Sequence, residues 1–262
     1  MSTPILKTEN LTIGYPIKKG ANKIVQQQLN INLRQGMLTS LLGINGIGKS
    51  TLLRSISSNQ EVIEGKVHVD NQEIKEYSKA KLATLISIVL TEKIPLSELT
   101  VRELIQIGRT PYLNYYSALS EQDNMLVNKA ISLTEIEDLA DRQISQLSDG
   151  QLQRVLIARA IAQDTPIIIL DEPSNHLDLH HKVALFKLLH RLAHQENKAI
   201  LFSCHDMDLA IAFSDDIIVL KKDYNIQDCT DTLINQGVFD NFFEDDNLVF
   251  NREQKRFILS AE

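Results

Sequence analysis

The segment Gly43-Ile44-Asn45-Gly46-Ile47-Gly48-Lys49-Ser50 restricts the fold more than any other part of the chain. It fits the spacing G-x-x-x-x-G-K-[ST]. Its flanks supply the context that the spacing needs: an apolar run over 37–42 reads as a buried strand, and 51–57 reads as a helix. Glycines at this spacing let the backbone bend into a concave nest whose amides point at one spot. The following helix adds its positive end, so the bend suits phosphate oxygens. Lys49 is then placed to reach a β- or γ-phosphate, and the Ser50 hydroxyl to bind Mg2+.

The rest of the chain reads as strands and helices around that bend. Residues 5–12, 25–33, 65–69 and 85–90 have strand character, with Leu29, Ile31 and Leu33 alternating on one face. From 100 to about 163 the signals turn helical. Thr100 with Glu103, and Thr134 with Glu137, have the spacing of capping boxes, and Pro111 interrupts the first of these helices. Strand signals return at 166–170, 199–203 and 217–220, with a helix predicted over 179–194. Strands separated by helices predict an α/β fold with a largely parallel sheet. A helical insert between about 92 and 150 sits on that core. Phe239, Phe242 and Phe243 read as packing residues, and the tail from 246 carries no recognisable chemistry.

Two further segments carry chemistry. The run Ile167-Ile168-Ile169-Leu170 ends in Asp171 and Glu172, and a carboxylate at the end of a parallel strand faces the ligand crevice. Asp171 is placed to hold Mg2+, and Glu172 to polarise an attacking water. His205 follows another apolar run and can orient that water. Leu147-Ser148-Asp149-Gly150-Gln151 opens a helix on which Leu152, Leu156 and Ala160 share a face. Ser148 and Gln151 have capping-box spacing, and the start of such a helix also suits an anion.

Taken in order, the bend 43–50, the segment 147–151, the strand 167–172, the turn Ser174-Asn175-His176-Leu177-Asp178 and His205 resemble the ATP-binding subunit of an ABC (ATP-binding cassette) transporter. The resemblance covers about residues 3–245. It implies a P-loop NTPase, RecA-like core (3–91 and 164–245) with an N-terminal antiparallel β part, an inserted α-helical subdomain (92–163) and a tail (246–262). It implies ATP contacts from Tyr15, which would stack on adenine, and from Gly43, Asn45, Gly46, Gly48, Lys49, Ser50 and Thr51. Ser148, Gly150 and Gln151 would serve the ATP of a second copy in a head-to-tail dimer, and Asp178 would communicate across it. Permease subunits and, indirectly, a substrate-binding protein complete the implied assembly, at the cytoplasmic side of the inner membrane. The chain departs from the family pattern at Thr91 and Glu92, where a glutamine is usual near the γ-phosphate and permease, and at Asp149, where glycine is usual. The stretch Thr100-Val101-Arg102-Glu103-Leu104, with Gly108-Arg109-Thr110-Pro111-Tyr112, resembles importers of iron-siderophores, haem and cobalamin.

Composition narrows the alternatives. Lys plus Arg number 27 against 34 Asp plus Glu, a net charge of −7, so a nucleic-acid partner is not expected. Two cysteines, Cys204 and Cys229, make no disulfide framework. The start has no signal-peptide pattern, and no apolar run is long enough to span a bilayer. Lys18, Lys19 and Lys23 read as a solvated loop, and His176, His180 and His181 as parts of a turn without a metal. A soluble ABC ATPase in assembly or repair, or an ATP-gated dimerising module with little turnover, remain the other readings of the same motifs.

Overall fold

The computed structural model describes residues 3–17, 21–91, 98–113, 118–222, 224–240, 242 and 248–259. Lys18, Lys19, Glu92 and Phe243 lie outside the described residues.

The chain opens with β1 (Leu6–Tyr15), β2 (Lys23–Leu29) and β3 (Asn32–Leu33), which pair antiparallel. The strand expected over 25–33 bulges at Gln28, whose φ is 55°, and is interrupted at Asn30 and Ile31. The Thr8 side chain repairs the gap. Its hydroxyl accepts from the Ile31 N–H and donates to the Leu29 carbonyl, both at 2.9 Å. Leu29, Ile31 and Leu33 still bury on one face, so the alternation survives the break.

Next comes β4 (Leu38–Leu42), buried at every residue, then α1 (Lys49–Ile56). β5 (Glu64–Val69) and β6 (Gln72–Glu73) return to the antiparallel sheet, whose order is β2-β1-β5-β6. A short α2 (Lys79–Leu82) leads into β7 (Ile86–Val89).

The helical stretch holds α3 (Val101–Gln106), α4 (Glu121–Leu133) and α5 (Asp149–Ala162). Thr100 and Glu103 form a full capping box on α3, and Ser120 with Asp123 forms one on α4. The box expected at Thr134 and Glu137 does not form. α4 already runs to Leu133, so Thr134 ends that helix and turns its hydroxyl back to the Ala130 carbonyl at 2.9 Å. After α3 a 3-10 turn over 107–112 contains Pro111. There Gly108 lets the backbone approach α5: a Cβ at that position would lie 2.5 Å from the Arg159 carbonyl oxygen. Arg109 then donates to the carbonyls of Ala162 and Gln163 at the end of α5 and pairs with Asp123 at 2.8 Å.

The second half adds β8 (Ile167–Leu170), α6 (Leu179–Gln195), β9 (Ala199–Ser203), α7 (Met207–Phe213), β10 (Asp216–Leu220), β11 (Asn225–Cys229) and α8 (Thr230–Asn235). The tail beyond 246 contains a hairpin, β12 (Leu248–Asn251) with β13 (Arg256–Leu259). Its Phe250 packs against Phe239 with ring centroids 5.2 Å apart, which draws the hairpin onto the core.

The main sheet has the order β11-β10-β4-β9-β8-β7 and is parallel except for β11. Alternate residues feed opposite faces: Ile168 and Leu170 join one core, Ile167 and Ile169 the other. Leu41 pairs with Ser203 and Leu170 with Phe202, so β4, β9 and β8 end level with one another. The fold is thus α/β, and the bend after β4, the carboxylates after β8 and the histidine after β9 meet at one edge.

Candidate functional site

The bend 43–48 is set by its backbone. Gly48 has φ 114°, and a Cβ there would lie 2.5 Å from Val25 Cγ1, so both conformation and space demand glycine. No side chain caps α1, whereas Thr100, Ser120, Ser148 and Asp178 cap α3, α4, α5 and α6. The first amides of α1 therefore stay open to an anion. Gln26, which the sequence did not flag, holds the bend from outside. Its amide donates to the carbonyls of Ile47 and Lys221, each at 3.0 Å.

Lys49 is buried and folds over the bend, donating to the Gly43 carbonyl at 2.9 Å. Burial lowers the pKa of its ammonium group, while the charges of Glu172 and Asp171 act in the opposite direction. The cleft above it has a volume of about 350 Å³ and is lined by Tyr15, Asn45, Gly46, Gly48, Lys49, Ser50, Thr51 and Glu172. Tyr15 stands at the rim, 45% exposed, its hydroxyl 3.4 Å from Thr51 Oγ1.

The acidic pair is anchored on three strands. Asp171 is almost fully buried; its backbone N–H donates to the Val89 carbonyl at 2.8 Å. One carboxylate oxygen accepts from the Ser203 hydroxyl at 2.7 Å and the other from Thr91 Oγ1 at 3.3 Å. Ser203 also accepts from the Glu172 N–H at 2.8 Å. Glu172 itself has φ 50°, an unusual backbone for a long side chain. His205 Nε2 contacts one Glu172 oxygen and the Asn175 amide donates to the other. Ser203 and Asn175 were missed as site residues. The polar end of the otherwise apolar β9 was the one available signal for Ser203.

Ser148, Gly150, Gln151 and Asp178 do not join this cleft. They line a second one of about 530 Å³, together with Asp149 and His176. Ser148 and Gln151 form the capping box of α5, with the Ser148 N–H donating to the Gln151 side chain at 3.0 Å. Asp149 is exposed in the first turn, where the positive helix end suits a carboxylate. Asp178 caps α6 and accepts from the His181 N–H at 2.9 Å and from His181 Nδ1 at 2.8 Å. Those bonds hold its carboxyl below the usual aspartate range. A larger groove, about 890 Å³, lies between β2 and β11. It is lined by amides such as Gln27, Asn32 and Gln227 and by the Arg34–Asp216 pair, and shares no residue with either cleft.

Residues 26–175 match the family model described as ABC transporter. The petrobactin import ATP-binding protein YclP of Bacillus subtilis is 39% identical over 205 residues, covering 78% of this chain and 81% of that protein. The iron(3+)-hydroxamate import ATP-binding protein FhuC of Bacillus subtilis is 36% identical over 225 residues, covering 86% and 82%. Among solved structures, a dimeric, post-hydrolysis ATP-binding cassette bound to ADP and phosphate superposes with a TM-score of 0.74 at 29% identity, covering 86% of this chain and 98% of that one.

Proposed function

We propose that this chain, which belongs to the ABC transporter family as an ATP-binding ATPase, energises import of an iron–siderophore chelate or a similar bulky cargo such as haem or cobalamin. The relatives named for petrobactin and iron(3+)-hydroxamate import support that cargo class.

In this reading the triphosphate of ATP lies in the bend 43–50. Backbone amides of the bend and of α1 take phosphate oxygens, and Lys49 leaves the Gly43 carbonyl to bridge the β- and γ-phosphates. Tyr15 stacks on the adenine, and Asn45, Ser50 and Thr51 line the phosphate path. Glu172 accepts a proton from a water as that water attacks the γ-phosphorus; ADP leaves and inorganic phosphate is formed. His205 and Asn175 hold the Glu172 carboxylate in place for that transfer. The single observation that carries this reading is Glu172 in the cleft wall, fixed by His205, beside the bend that Lys49 covers.

Ser50 and Asp171 supply a hydroxyl and a carboxylate oxygen, hard donors of the class that Mg2+ takes. Mg2+ would there offset charge on the phosphates. Thr91 adds a hydroxyl beside Asp171; in the sequence, Thr91 and Glu92 stand where the family usually has a glutamine near the γ-phosphate and the permease.

A second copy supplies Ser148, Gly150 and Gln151 over the same ATP, with Asp178 beside them. Support comes from the two separate clefts of this chain and from the dimeric state of the relative with ADP and phosphate. The Ser148 hydroxyl accepts in its capping box and keeps its proton to donate to a phosphate. Residues 3–91 and 164–245 act as the nucleotide-binding core, and 92–163 as the lobe that moves against it. No described helix is long and apolar enough to cross a membrane. In this reading permease subunits hold the chain at the cytoplasmic face of the inner membrane, and a substrate-binding protein delivers cargo from the other side.

The test is ATP hydrolysis by the assembled transporter with Glu172→Gln. Turnover should fall about a hundredfold or more, the scale of general-base catalysis, with ATP binding retained. Equal turnover would overturn the assignment of Glu172.

A further inference from the structure

We propose that His190, His194 and Asp215 form a binding site for a borderline divalent transition metal such as Zn2+. The site is built from the last turns of α6 and the residue that precedes β10. One ligand atom from each of the three side chains lies within 4.8 Å of the other two.

The groups behind these atoms hold them close together, and a metal would need the exposed His190 ring to turn, since two stacked rings aim their in-plane lone pairs nearly parallel. His190 and His194 are one helical turn apart, and their rings stack with centroids 4.0 Å apart. His194 Nδ1 lies 2.8 Å from the His190 carbonyl oxygen. A carbonyl only accepts, so Nδ1 donates to it; Nε2 is the ring nitrogen that faces Asp215, where a metal would replace the proton that the imidazole and the carboxylate share. That outer bond to a carbonyl is the support that metal-bound histidines use.

Asp215 is held still more firmly. Its Oδ2 accepts from the Leu38 N–H at 2.7 Å, and its own N–H donates to the Leu38 carbonyl at 2.9 Å. Its carbonyl accepts from the Thr230 N–H at 3.0 Å. Only Oδ1 is left, and it points at His194 Nε2, 3.2 Å away. The His190 ring nitrogens bond to nothing else among the described residues. Two imidazoles and one carboxylate suit Zn2+, Ni2+, Co2+ or Cu2+ and disfavour Mg2+ and Ca2+. Three protein ligands leave a fourth position for water. A metal there would tie the end of α6 to the start of β4 and β10, away from the cleft that holds Lys49.

The experiment uses the full chain, free of nucleotide and of any histidine tag. Zn2+ binding is measured by calorimetry, and Co2+ binding by its visible absorption. The expected result is one saturable Zn2+ per chain, a Co2+ spectrum of a low-coordinate nitrogen–oxygen site, and a rise in melting temperature with Zn2+. His190→Gln and Asp215→Asn should each weaken Zn2+ by about tenfold or more. His180→Gln, on the same helix, should leave it unchanged. Asp215→Asn keeps an acceptor for the Leu38 N–H, and His190→Gln alters an exposed side chain, so both should melt like the wild type without metal. No saturable binding by the wild type, unchanged affinity in His190→Gln, or an equal loss in His180→Gln would each overturn the proposal.

Discussion

The Ser203 hydroxyl donates to the Asp171 carboxylate at 2.7 Å. The same oxygen accepts from the Glu172 N–H, so one small side chain on β9 aligns both acidic residues at the end of β8. Removing it in Ser203→Ala leaves a buried carboxylate oxygen without that donor. A hydrogen bond to a charged group contributes about 1.5–3 kcal/mol, so turnover should fall by about tenfold or more. Ser203→Thr, which keeps the hydroxyl, should recover most of it. Steady-state ATPase rates of the assembled transporter at several Mg2+ concentrations measure the loss and its rescue.

Gln26 gives a second prediction. It is 3% exposed and bridges the carbonyls of Ile47 and Lys221. Gln26→Ala frees both carbonyls and removes the strut between the bend and the chain end of β10. Stability should drop by about 1–3 kcal/mol in urea unfolding, and ATP affinity should weaken several-fold. An unchanged ATP affinity would mean that the bend holds its shape without Gln26.

The third concerns packing far from the cleft. Arg109 and Asp123 are both buried, and Arg109 also caps the carbonyls of Ala162 and Gln163. Arg109→Ala breaks a buried pair and uncaps α5, and should cost about 3–5 kcal/mol of unfolding free energy. Arg109→Lys should recover little, because one ammonium cannot reach both the carboxylate and the carbonyls in a planar fork.

The same pair sets a pH dependence. Bonds from Ser120 and then Arg109 hold the Asp123 carboxyl below the usual aspartate range. The folded chain therefore binds this proton less readily than the unfolded chain. Its stabilising effect is complete above the unfolded value, near pH 4, and is lost as the pH falls through the lower folded value. The difference in urea midpoint between wild type and Asp123→Asn should be full at pH 7 and shrink below about pH 4. A constant difference would show that shape, and not charge, accounts for the effect.

How much of this was legible in the sequence follows from the range of each interaction. The bend 43–50 and the capping boxes at Thr100 and Ser148 depend on neighbours in the chain, and their spacing is written in the sequence. Thr134 shows the limit of that reading. The same residue type and spacing occur at a helix end, and only the extent of α4 decides between the two. Gln26 donates to a carbonyl 195 residues away, and Ser203 reaches Asp171 only through the register of β8 and β9. Nothing local marks the Gln26 contact, and only the polar end of β9 marks Ser203. The hairpin after 246 was equally hidden, since its burial depends on Phe250 meeting Phe239 across the fold. Lys49 lies in one cleft and Ser148 and Asp178 in another, a separation that local spacing does not show.

The most direct test is equilibrium binding of ATP with Mg2+ to the purified chain, measured by calorimetry for the wild type and for Lys49→Ala. The wild type should bind one ATP per chain. Lys49→Ala, folded by circular dichroism, should bind at least about tenfold more weakly, since a charged partner of the phosphates has been removed. Equal affinity in the two proteins would contradict the placement of the triphosphate in the bend between β4 and α1.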